Sequence, residues 1–191
     1  MGRWEPDARE RLVRAALDLF CEQGYENTSV AQIAERAGLT KSTYFRHFRD
    51  KREVLFGGQD QLLELLTSGI IGAPPSVGPL AAVEAALVAI AVTFTEERLA
   101  NAPRRQAVIA GTDELRERDA LKMAGFARAM KDALRQRGVS ELDADVAAEL
   151  GVLAVRRGFD RWLEDGGDFA EVARRALEEV RVAAAELQGA E

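Results

Sequence analysis

Apolar residues return every three to four positions along this chain and never alternate with polar ones over a useful length, so its 191 residues have material for helices and none for a sheet. Ala, Leu, Glu and Arg, all good helix formers, come in blocks, while Val, Ile and Thr are sparse. The spacing predicts an all-α chain. Its helices fall near 7–23, 29–37, 41–47, 51–71, 79–101, 103–111, 114–137, 142–165 and 168–188. Pro6 and Asp7 suit the first entrance, and Leu12, Ala16, Leu19 and Phe20 face inward. "GAPPSVGP" at 72–79 stops any helix, and Pro103, "GTD", "GVS" and "DGGD" mark the later breaks.

With 47% apolar residues, the chain can fill a core without covalent staples. One cysteine and one histidine exclude an internal disulfide, a cysteine zinc site and any credible Ser/His/Asp or Cys/His nucleophile, and nothing calls for a metal or cofactor. Cys21 reads as a small inward residue. The start, "MGRWEPDARERLV", lacks the apolar run of a secretory signal, and the stretch at 85–92 is too short to span a bilayer. A cytoplasmic, non-enzymatic protein is expected.

The net charge of −6 hides an uneven distribution. Residues 1–58 hold ten Lys/Arg and nine Asp/Glu, a balance of +1, and the remainder carries −7. Arg36, Lys41, Arg46, Arg49, Lys51 and Arg52 face a single acid, Asp50, which makes a local patch of +5 on an acidic chain. Within it, "TSVAQIAERAG" reads as a short helix capped by Thr28 or Ser29 and closed by Gly38. Thr40 can cap a second short helix, Lys41 to His47. Two short helices joined at a glycine match a helix-turn-helix. The amino end of the second helix offers N–H groups to a phosphate, and Lys41, Ser42 and Thr43 can donate or accept at base edges.

The run "TSVAQIAERAGLTKSTYFRHFRDKREVL", preceded by "LVRAALDLFCEQGYEN", resembles the amino-terminal DNA-binding region of the TetR family of transcriptional regulators. The resemblance implies a three-helix reading head over 1–50 and a larger helical body over 51–191 that dimerises and binds a small-molecule effector. It places Lys41, Ser42 and Thr43 on base edges or adjacent backbone, and Thr28, Ser29, His47 and Lys51 on phosphates. Where the family usually carries a phosphate-contacting tyrosine, this chain has Phe45, with Tyr44 one residue earlier. Either that contact is lost, or Tyr44 or Arg46 supplies it. Phe48 reads as packing.

In the body, "VLFGGQD" and "VRRGFDRWLEDGG" are broadly similar to the actinobacterial group that includes mycofactocin-type regulators. Val92, Phe94, Met123, Phe126, Ala127, Met130, Val155 and Phe159 are the candidate pocket lining, and Arg128, Arg156 and Arg157 the candidate partners of an acidic ligand. Gly57 and Gly58 sit inside the expected fourth helix, as close packing or as a compliant point. Ala147, Ala148, Gly151, Ala173, Ala176, Ala183 and Ala184 would let two copies of the last helix pair approach closely. Together these features imply a homodimeric repressor released from a palindromic operator by a ligand. A helical enzyme or ligand carrier with a vestigial head is the alternative.

Overall fold

The structure, a computed structural model, describes residues 8–187. The helix entrance expected at Pro6 and Asp7 and the helix end expected at residue 188 lie outside them. Among the described residues there are helices and no strand: α1 (Ala8–Gln23), α2 (Val30–Arg36), α3 (Lys41–His47), α4 (Glu53–Phe56), α5 (Gln59–Gly72), α6 (Pro79–Ile90), α7 (Glu96–Ala110), α8 (Asp113–Gln136), α9 (Glu141–Asp165) and α10 (Phe169–Glu186), with a 3-10 turn at Ala91–Thr93.

Two expected boundaries move. The helix predicted over 51–71 is two, because Gly58 takes φ +89°, a left-handed conformation that ends α4 and starts the chain afresh into α5. The glycine pair is therefore a turn and not part of a helix interior. The break expected at Pro103 falls at 91–95 instead. Thr95 caps α7, accepting from the Arg98 N–H through its hydroxyl at 3.2 Å and from the Leu99 N–H through its carbonyl at 2.9 Å. Pro103 then lies within α7 and forfeits one ladder bond.

The chain forms two compact units, residues 8–58 with Asn101–Asp119, and Gln59–Ala100 with 120–187. The boundary expected at residue 50 is thus corrected: α4 stays with the head, and a distant segment joins it. The head's core gathers Leu12, Ala16 and Phe20 of α1, Ile33 of α2, Tyr44 and Phe48, Val54, Leu55 and Phe56 of α4, and Ile109 and Leu115. The guanidinium groups of Arg105 and Arg118 lie 5.4 and 5.2 Å from the Phe56 ring centre. Cys21, one residue past inward-facing Phe20, is rotated by about 100° and exposed, contrary to expectation.

The second unit packs through small residues. A Cβ on Gly69 would stand 2.6 Å from the Ala86 Cα, one on Gly151 would stand 2.8 Å from Val83 Cγ1 and 3.1 Å from Met130 Sδ, and one on Gly158 would stand 3.5 Å from the Ala173 Cα. Ala147, Ala148, Gly151, Ala173 and Ala176 are consequently buried inside the protomer and present no surface to a second copy. Arg137 closes α5, its guanidinium donating to the carbonyls of Ile70 (3.0 Å), Ala73 (2.6 Å) and Pro74 (2.8 Å).

Candidate nucleic-acid interface

The reading surface is built from local rules. Ser29 and Gln32 form a capping box at the start of α2, the Ser29 hydroxyl accepting from the Gln32 N–H at 3.3 Å while the Gln32 side chain accepts from the Ser29 N–H at 2.8 Å. The other end closes as a Schellman motif: Leu39 N–H to Ala34 carbonyl at 2.8 Å and Gly38 N–H to Glu35 carbonyl at 2.9 Å, with Gly38 at φ +65°. Thr40 caps α3, accepting from the Thr43 N–H at 3.1 Å.

This turn fixes which side of α3 meets solvent. Tyr44 and Phe48, four residues apart, point inward with ring centres 5.4 Å apart. Lys41, Ser42, Phe45, Arg46 and His47 point outward. Phe45 is 49% exposed, a large aromatic on an otherwise polar face, and the Lys41 ammonium lies 5.8 Å from its ring centre. The Thr40 and Thr43 hydroxyls are 2.9 Å apart, and Arg46 donates to Thr43 Oγ1 at 3.0 Å. The Thr43 hydroxyl, expected at a base edge, is thus engaged on both sides and holds the Arg46 guanidinium in place.

Three expected contacts are corrected. Tyr44 is fully buried, and its phenol donates to the Asp50 carbonyl at 3.0 Å, so it has no surface to offer a phosphate. Burial raises its pKa, with Asp50 and Glu53 adding to the rise. Thr28 is 2% exposed, its hydroxyl donating to the Gly24 carbonyl at 2.8 Å inside the α1–α2 turn. Lys51 donates to the Tyr25 carbonyl at 2.7 Å with its ammonium 3.9 Å from that ring's centre, which makes it a strut of the head. Ser29 remains exposed at its cap.

The basic patch shrinks as well. Arg36 pairs with Glu22 at 2.7 Å, and Arg52 with Asp50 at 2.8 Å and Glu114 at 3.3 Å. Lys41, Arg46 and Arg49 are left as exposed cations of the run from 36 to 52. Their grouping on and just after α3 concentrates positive charge where the reading helix meets solvent.

In the second unit the pocket candidates separate. Met123, Phe126 and Met130 are buried core, whereas Val92 is 72% exposed. Phe94 and Phe159 come together edge-on at 6.3 Å, beside Trp162 (5.2 Å from Phe94) and Phe169, which stacks on Phe94 at 3.5 Å. Arg128, Arg156 and Arg157 are exposed. Arg98, overlooked in the sequence, has its guanidinium 4.8 Å from the Phe94 ring centre. The spacing "FTEER" carries a capping threonine and an arginine in the first turn, the local signal that would have pointed to it.

A capped, glycine-turned helix pair with an outward-facing Lys, Ser, Phe and Arg is the head of a helix-turn-helix protein. Residues 12–57 match the bacterial regulatory proteins of the tetR family, which makes this segment a tetR-type DNA-binding head. TcmR, an HTH-type transcriptional regulator of Streptomyces glaucescens, is 39% identical over 82 residues, covering 43% of this chain. The match spans only 36% of TcmR's own length. MftR of Mycobacterium tuberculosis, a regulator provisionally tied by name to mycofactocin biosynthesis, is 26% identical over 168 residues, 86% of this chain and 84% of MftR. The SmeT–triclosan complex, SmeT being the repressor of the Stenotrophomonas maltophilia multidrug efflux pump SmeDEF, has the same fold, with a TM-score of 0.63 at 21% identity over 92% of this chain and 90% of SmeT. NalD, the secondary repressor of the MexAB-OprM multidrug efflux pump in Pseudomonas aeruginosa, gives 0.59 at 22% identity over 92% and 95%.

Proposed function

We propose that this chain is a cytoplasmic, homodimeric transcriptional repressor that leaves a palindromic operator when a small molecule binds its second unit. The observation that carries this reading is the outward face of α3, where Lys41, Ser42, Phe45 and Arg46 stand exposed on a helix whose start is capped by Thr40. Such a helix enters a major groove with its first-turn side chains toward base edges. Lys41 and Ser42 are the base readers, Arg46, held by Thr43, takes a phosphate, and Ser29 and His47 take the flanking backbone.

Dimerisation falls to apolar residues that the protomer leaves in solvent. Leu142, Val146 and Leu153 form a stripe along α9, with Val182 and Leu187 at α10 and beyond its end. A two-fold pair of such faces sets two copies of α3 about one DNA turn, roughly 34–36 Å, or a multiple apart. The ligand acts by binding the DNA-incompetent arrangement better than the competent one, and DNA weakens ligand binding by the same factor. The complex of SmeT with triclosan supports a small organic molecule as the effector.

Selection from a random duplex pool tests this reading. A near-palindromic consensus is the expected outcome, with tight binding lost on dilution below the dimer's dissociation constant. Recovery of no common sequence would reject it.

A further inference from the structure

A guanidinium taken out of water normally brings its counter-charge with it, because an unpaired buried cation is costly. Even at the surface of the second unit, Arg161 and Arg181 are paired, their pKa values raised by hydrogen bonds to Glu179 and Glu178. Arg98 does the reverse: desolvation lowers its pKa. No carboxylate among the described residues pairs with it. Its Nη1 donates to the Thr93 carbonyl at 3.1 Å, and its charge lies over Phe94. The position adds a second cost. Arg98 stands in the first turn of α7, where the helix dipole already presents its positive end and where a cation is disfavoured.

Both costs become gains if an anion arrives. A planar guanidinium fork selects carboxylate, sulfonate or phosphate oxygens and binds them through paired N–H donors. Beside it, Phe94 and Phe159 keep part of their surface in solvent while Trp162 and Phe169 are buried behind them. Trp162 is fixed by its indole N–H donating to the Gly167 carbonyl at 3.2 Å. The rings form a rigid apolar ledge next to an uncompensated charge. We propose that Arg98, Phe94 and Phe159 form a recognition site for an organic anion with a flat apolar body. This inference rests on the proposed effector-responsive function and names the ligand class. It moves the charge-reading role from Arg128, Arg156 and Arg157, which are exposed on α8 and α9, to Arg98.

Two dyes that share a ring system decide the matter: 1-anilinonaphthalene-8-sulfonate, and N-phenyl-1-naphthylamine, which lacks the sulfonate. Fluorescence titration of the full chain should show saturable binding of both, with the sulfonate tighter by about tenfold and that advantage falling with salt. Arg98→Gln should abolish the advantage and leave the neutral dye within about twofold, whereas Arg98→Lys should keep part of it. Equal loss of both dyes in a variant that still melts cooperatively would overturn the proposal. If Arg98→Gln fails to fold, the wild-type ratio decides: no preference for the sulfonate overturns the anion site. Saturable neutral dye without that preference defeats only this inference, whereas no saturable binding of either dye also removes the support for an effector site.

Discussion

The Tyr44 phenol donates to the main-chain carbonyl of Asp50 at 3.0 Å, tying the last turn of the reading helix to the entrance of α4. The Asp50 carboxylate meanwhile accepts from Arg52 at 2.8 Å and from the Glu53 N–H at 3.1 Å, so one residue joins α3 to the start of α4. Tyr44→Phe should destabilise the fold by about 1–3 kcal/mol, since it strips the carbonyl of its donor. Operator affinity, measured well below the melting temperature, should stay within about twofold of wild type, because nothing at the DNA surface is removed. Lost affinity with an unchanged melt would put Tyr44 back on the DNA.

The Asp50 pKa is lowered, first by the hydrogen bond from Arg52 and then by the Glu53 N–H, against the opposing pull of burial. A folded-state pKa below the unfolded one gives stability that is complete above the unfolded value of about 3.9 and lost as pH falls through the folded value. Melting temperatures followed from pH 6 downward should therefore show the wild type converging on Asp50→Asn below about pH 4, with a constant gap above about pH 5. A gap that does not narrow in acid would mean that the carboxylate's charge is not what holds the turn.

On the proposed reading, Phe45, which has no hydroxyl, meets DNA through an apolar contact with a thymine methyl or a sugar. Phe45→Ala should weaken operator binding by about tenfold without changing the slope of log affinity against log salt, because no phosphate is released. Phe45→Tyr should raise affinity above wild type by adding a phosphate donor. A changed salt slope in Phe45→Ala would contradict this assignment.

Gly58 at φ +89° cannot take a Cβ without strain, and a Cβ on Gly57 would stand 3.2 Å from Phe48 Cε1 and crowd the Arg9 guanidinium. Gly58→Ala should cost about 1–2 kcal/mol in thermal or denaturant unfolding. The pair lies at the boundary between the two compact units, where α5 begins. If it serves as a compliant turn in the ligand response, alanine at both positions should alter ligand-induced release more than operator affinity. Equal loss of both would leave the glycines a packing role only.

The head was legible because its rules are local. Ser29 with Gln32, Thr40 with Thr43, and Gly38 each satisfy backbone groups within six residues, so their spacing alone announces the helix pair. Structure and expectation part where the deciding partner is distant or where a third residue sets the helical phase. Ile109 and Leu115 complete a core built largely from residues 12–56, and no periodicity in 101–119 reveals that. Tyr44 and Phe45 are adjacent and both aromatic, and only the inward phase set by Phe48 shows which of them is buried. The stripe of small residues on α9 and α10 serves packing within the protomer as well as it could serve a dimer, and composition cannot tell the two apart. Arg98 escaped notice because a lone arginine becomes informative only once its neighbours are seen to lack a counter-charge.

The central claim is that the outward face of α3 reads DNA, with Lys41 and Ser42 at base edges and Arg46, together with Arg49 just beyond the helix, on phosphates. It is tested most directly by a salt titration of binding to the near-palindrome that selection recovers, alongside a scrambled duplex, for wild type and Lys41→Ala. With two phosphate-directed cations per protomer, Arg46 and Arg49, a two-fold dimer should neutralise about four phosphates and show a log–log slope near −4, with the true site preferred by at least about 1,000-fold. Lys41→Ala should lower affinity for the site by about tenfold or more and narrow that preference. Equal affinity for both duplexes, with Lys41→Ala silent, would contradict the claim.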